Sequence, residues 1–158
     1  MSLPKLYLET TIPSYLTARR SRDLQLAADQ QATEDWWNFH RQHYECYISA
    51  AVLEEVQCGD PAFAAARVEK LRGLPLLPET DAVRELSERL LHEQIIPSVA
   101  ADDAAHVAFA ATHALDFLLT WNCKHINNPH LLRRIERACA ACGLTCPVIC
   151  TPAELMLP

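Results

Sequence analysis

Lys5-Leu6-Tyr7-Leu8-Glu9 is the stretch that decides the fold. It is a short apolar run closed by an acid, the pattern of a strand covered on both faces. Similar runs follow at Tyr44 to Ser49, Leu74 to Leu77, Asp116 to Thr120 and Pro147 to Cys150. Prolines beside the third of these mark it as an edge strand. Helical stretches separate the runs. The first spans residues 22 to 42 and carries Leu24, Leu26, Ala28, Ala32, Trp36 and Phe39, with Trp36 and Phe39 as core-facing positions. Others span 50 to 58, Asp60 to about Gly73, Thr80 or Asp81 to His92, 99 to 114, and Pro129 to Cys142, the last stopped by Gly143. Ser49 is placed to cap the helix after the second strand. Thr151-Pro152-Ala153-Glu154 opens a final helical turn. This alternation predicts a three-layer α/β/α domain around a mostly parallel sheet of four to five strands. Right-handed crossovers then bring every strand's C-terminal end to one edge, where sites form in such sheets.

The 158 residues suit a single domain, 1–158, with a core that needs no staples. Half of them are apolar and 22% are charged. Acids outnumber bases by 20 to 14, for a net charge of −6, which excludes a binder that coats nucleic acid by bulk charge. A metal-dependent nuclease stays open, because such a site concentrates acids. Only Gly59, Gly73 and Gly143 are glycines, so no glycine-rich nucleotide cradle can be written. No apolar run approaches the ~20 residues of a membrane span. Met1-Ser2-Leu3-Pro4-Lys5 lacks the apolar core of a signal peptide. The seven cysteines are an odd number in a chain without an export signal, which points to reduced thiols in a cytoplasm. Cys139, Cys142, Cys146 and Cys150 have spacings that look like a zinc site, but Cys139 and Cys142 share a helix face with Leu131, Leu132, Ile135 and Ala138. Core packing is the expected role.

Acids and an amide gather at the predicted strand ends. Glu9 ends the first strand and is followed by Thr10 and Thr11. Ser49 ends the second, and the next helix carries Glu54 and Glu55. Asp102 and Asp103 lie in the first turn of the alanine-rich helix, and Asn122 follows the fourth strand. Mg²⁺ and Mn²⁺ require hard oxygen ligands from converging segments. Acids in a first helical turn also favour the macrodipole, which alone accounts for Asp102 and Asp103. Glu54 and Glu55 fit a solvated face equally well. An acid ending a buried strand is harder to explain that way.

Tyr7-Leu8-Glu9-Thr10-Thr11-Ile12-Pro13-Ser14 resembles the opening of PIN-domain proteins, a strand ending in an acid followed by Thr or Ser. Ile48-Ser49-Ala50-Ala51-Val52-Leu53-Glu54-Glu55-Val56 with Gly59 resembles their second motif and selects Glu55. Asp103-Ala104-Ala105-His106-Val107-Ala108 resembles the third and selects Asp103. Thr120-Trp121-Asn122-Cys123-Lys124-His125 resembles the fourth, as in VapC-type ribonuclease toxins, and Thr151-Pro152-Ala153-Glu154-Leu155 looks like the family's usual ending. The resemblance runs along essentially the whole chain in order. It implies a PIN fold and Mg²⁺- or Mn²⁺-dependent cleavage of single-stranded RNA.

On this resemblance Glu9, Glu55, Asp103 and Asn122 are the catalytic set. Glu9, Glu55 and Asp103 are metal ligands supplemented by Asp102, and Thr10, Ser49 and Thr120 support them. His106 is expected to pack, one helical turn after Asp103. Arg19, Arg20, Lys124 and His125 are candidates to contact RNA, and Trp121 is the aromatic residue expected nearest the site. The family pattern also implies a homodimer and a cognate antitoxin. Two positions depart from it: Glu9 stands where Asp is common, and the neutral Asn122 where Asp is frequent. They keep an alternative open, a catalytically weakened PIN domain that binds RNA or protein.

Overall fold

A central strand organises the computed structural model, which describes residues 2–156. This strand, β1 (Lys5–Leu8), lies between β2 (Glu45–Ser49) and β4 (Phe117–Leu119), with β3 (Leu76–Leu77) and β5 (Val148–Cys150) at the edges. Every pairing is parallel, with Tyr7 level with Tyr47 on one side and Leu118 on the other. The chain builds outward from β1 to β2 and β3, then returns to the other flank. The order therefore reverses between β1 and β4, the place where open parallel sheets form their crevice. Leu6, Tyr7, Leu8, Leu118 and Leu119 are wholly enclosed, as continuous apolar strands should be under two helical layers.

The helices are α1 (Thr11–Thr17), α2 (Leu24–Phe39), α3 (Ala50–Val56), α4 (Pro61–Lys70), α5 (Asp81–His92), α6 (Ala101–Thr112), α7 (Leu132–Ala141) and α8 (Pro152–Met156). One group packs α6 against α3 and α5, with α7 on α5; another packs α2 against α1 and α8. The apolar pattern does not announce α1. It contains Pro13, which is tolerated because the first turn of a helix has no intrahelical use for its N–H groups. α2 is shorter than the sequence suggests. Trp36 is fully buried, but Phe39, its last residue, is 65% exposed where the helix yields to a 3₁₀ turn, so Phe39 is not a core residue. Asp23 caps α2 and Thr80 caps α5 through side-chain acceptors.

α7 ends as Gly143 predicts. Gly143 has a φ of +73° and donates to Ala140, while Leu144 donates to Cys139, the Schellman pattern. Cys139 is buried in the core. Among the described residues, no helix is long and apolar enough to cross a membrane.

Candidate active site

Glu9 follows the last residue of β1 and is 2% exposed. A buried carboxylate needs donors. Its Oε1 accepts from the Thr11 backbone N–H at 3.1 Å, from the Thr11 hydroxyl, and from the Thr120 hydroxyl at 2.7 Å. Burial pushes its pKa up, against the opposing pull of His106, Thr11 and Thr120. Thr120 is itself fully enclosed and accepts the Asn122 N–H at 2.9 Å.

Glu55 projects from α3. Its Oε1 accepts the Thr10 hydroxyl at 2.8 Å and bonds His106 Nε2. Burial raises its pKa, but the bond and charge of His106, with Thr10, outweigh burial and leave it lowered. His106 is completely buried in α6, and its Nδ1 meets the Tyr7 hydroxyl at 2.7 Å. Tyr7 in turn meets Ser49 Oγ at 2.7 Å. Burial opposes the charged form of His106, but Glu55, Glu9 and Asp103 around it raise its pKa overall. The buried imidazole is thus bonded to Glu55 on one nitrogen and to Tyr7 on the other.

Two expectations change here. His106 is not merely packing, since it belongs to the polar group. Ser49 is the N-cap residue of α3 by position, but its hydroxyl makes no capping bond and serves Tyr7 instead. Sequence reasoning also passed over Thr11 and Tyr7. The available signals were the i, i+3 spacing of Asp103 and His106 on one helix face, and the second hydroxyl residue after Glu9.

Asp103 Oδ2 lies 3.1 Å from His125 Nδ1. Asp102, its neighbour, is exposed and has no side-chain bond among the described residues, so it does not join the group. A residue step of about 100° around a helix turns it away from the face that Asp103 shares with His106. Asn122 is already employed. Its Oδ1 accepts the N–H groups of Lys124 at 3.2 Å and His125 at 3.0 Å, an Asx-type turn that sets His125 against Asp103. Lys124 is exposed beside it. Arg20 is held on α2 by Glu34 at 3.0 Å and the Ala27 carbonyl, and Arg19 lies over Phe63, 5.9 Å from the ring centroid. Neither arginine belongs to the carboxylate group.

Trp121 borders the site. Its backbone N–H donates to Thr11 Oγ1 at 2.8 Å and its indole N–H to Thr33 Oγ1 at 2.7 Å. Tyr15 stacks on it with ring centroids 5.6 Å apart and planes 6° apart.

Among the described residues, no group of three or more His, Cys, Asp or Glu side chains stands close enough together to hold a metal ion. Each carboxylate is drawn toward its own donors: Glu9 to threonines, Glu55 to Thr10 and His106, Asp103 to His125. The donor chemistry nevertheless fits a hard divalent cation. Each of the three keeps one carboxylate oxygen free of hydrogen bonds among the described residues while the other is fixed, the way supporting contacts orient metal ligands.

The strand order and the polar edge define a class of fold, the PIN-like α/β domain. A particular solved structure shares it, the crystal structure of VapBC2 from Rickettsia felis bound to a DNA fragment from their promoter. The match has a TM-score of 0.60 and covers 92% of this chain and 97% of that chain, at 14% identity. No protein-family model matches the sequence, and neither does any curated protein.

Proposed function

We propose that this protein is a Mg²⁺- or Mn²⁺-dependent endoribonuclease of the VapC type that cleaves single-stranded RNA in the cytoplasm. The observation that carries the reading is the placement of Glu9, Glu55 and Asp103, from three separate elements, at the C-terminal edge of the sheet, with Glu55 bonded to His106 of the helix that also carries Asp103. These carboxylates would hold the ion, which supplies an activated water and offsets charge on the attacked phosphate. Thr11 and Thr120 hold Glu9 in place, Thr10 and His106 hold Glu55, and His125 holds Asp103. Lys124, exposed on the adjoining turn, offers a cation to a phosphate. The likeness to a VapBC2 structure supports a cognate antitoxin as the partner that restrains the enzyme, and a homodimer is the assembly we infer with it.

The test is incubation of the purified protein with labelled single-stranded RNA in Mn²⁺, Mg²⁺ or EDTA, beside Asp103→Asn and Glu55→Gln. Cleavage that needs the metal and disappears in both variants supports the reading; cleavage that survives EDTA or both substitutions refutes it. A second reading is a weakened PIN domain that binds without cutting. It is favoured by Asn122, which brings no charge and whose side-chain oxygen is taken by two backbone amides. Binding with no cleavage of any RNA would support that one.

A further inference from the structure

Tyr15 and Trp121 form a parallel, offset pair at the border of the carboxylate group. Trp121 is fixed at two points, by Thr11 and by Thr33. Thr33 is fully buried and donates to the Asp29 carbonyl at 2.7 Å, so the indole rests on a rigid helix. Both rings are only half-buried, and the Tyr15 hydroxyl has no hydrogen-bond partner among the described residues. A packed core pair would be closed over; this one retains surface. The Thr11 hydroxyl links it directly to the site, donating to Glu9 and accepting the Trp121 N–H. Stacking on an aromatic face is open to any nucleobase.

We propose that the Tyr15–Trp121 stack is a nucleobase platform that seats the base of a nucleotide beside the bond to be cut, with Tyr15 as the contacting ring. This rests on the ribonuclease reading, and the two can fail separately. The experiment measures equilibrium binding of a fluorescein-labelled oligoadenylate RNA by anisotropy in EDTA. It compares wild type, Tyr15→Leu, Tyr15→Trp, and wild type with RNAs carrying one abasic position moved along the tract. Tyr15→Leu should weaken binding by on the order of tenfold while Tyr15→Trp stays close to wild type. One abasic position should reproduce the loss, which keeps the test valid if Tyr15→Leu folds poorly. The proposal is overturned if wild type does not bind the RNA, if folded Tyr15→Leu binds within twofold of wild type, or if no abasic position matters. The last outcome would assign the pair to a protein partner instead. Metal-dependent cleavage by wild type, measured in parallel, reports on the parent reading. An enzyme that cleaves with an unchanged KM in Tyr15→Leu keeps the reading and loses the platform. Base-dependent binding without cleavage keeps the platform and loses the enzyme.

Discussion

Thr120→Val exchanges one hydroxyl for a methyl at a position with no solvent exposure. The hydroxyl donates to Glu9 at 2.7 Å and accepts the Asn122 N–H at 2.9 Å. Leaving a buried carboxyl oxygen without its donor costs about 1–3 kcal/mol, and an amide left without its acceptor adds about 1 kcal/mol at a half-buried site. Volume hardly changes, so no cavity contribution enters, and the expected loss is about 3 kcal/mol. With a urea slope of about 2 kcal/mol/M, the unfolding midpoint should fall by roughly 1–2 M. Thr120→Ser is the control: it keeps both bonds and loses one methyl, about 0.8 kcal/mol. Equal midpoints for the valine and serine variants at neutral pH would refute the reasoning, since the hydroxyl would then contribute nothing beyond its packing.

Two further outcomes can be checked. Burial raises the pKa of Glu9 in the folded state, so the stability tied to this group is fully present below its unfolded pKa and is lost as pH rises through the folded value. Glu9→Gln removes that loss and should stabilise the protein at pH 8 by about 0.5–2 kcal/mol while abolishing cleavage, with a smaller gain at pH 5; urea midpoints no higher than wild type at pH 8 contradict this. Asn122→Ala removes the acceptor of two backbone N–H groups and should lower Tm by roughly 3–6 °C, with Asn122→Asp recovering most of it. A melt within 1 °C of wild type would show that the turn holds without the side chain.

The strands were legible because each is an unbroken apolar run between turn residues, and a buried parallel strand has no other way to look. Helix boundaries were less so. α1 carries its information in Thr10 and Pro13 rather than in an apolar stripe, and α6 begins two residues late because a 3₁₀ turn, Ser98–Ala100, precedes it. Motif spacing put Glu9, Glu55 and Asp103 at one edge. What holds them there was not legible, because it depends on contacts between distant segments. His106 reads as one more buried residue among alanines until Tyr7 and Glu55 are brought to its two nitrogens. Asn122 reads as a weakened ligand until its oxygen is seen closing a turn. Arg20 reads as free cationic surface until Glu34 meets it across the corner between α1 and α2.

The central position of β1 also bears on how the chain acquires its site during synthesis. β1 is made before both strands it pairs with, and one of them, β4, lies more than a hundred residues further on. The bond between Thr120 and Glu9 spans 111 residues. Contacts of such long range form late, after most of the loop-closing entropy has been met. Until Thr120 has emerged, Glu9 lacks a donor it needs for burial, and β1 has an open edge toward the missing strand. A chain that stops short of Thr120 therefore carries Glu9 without its full set of donors, and the carboxylate is secured only once β4 has been made.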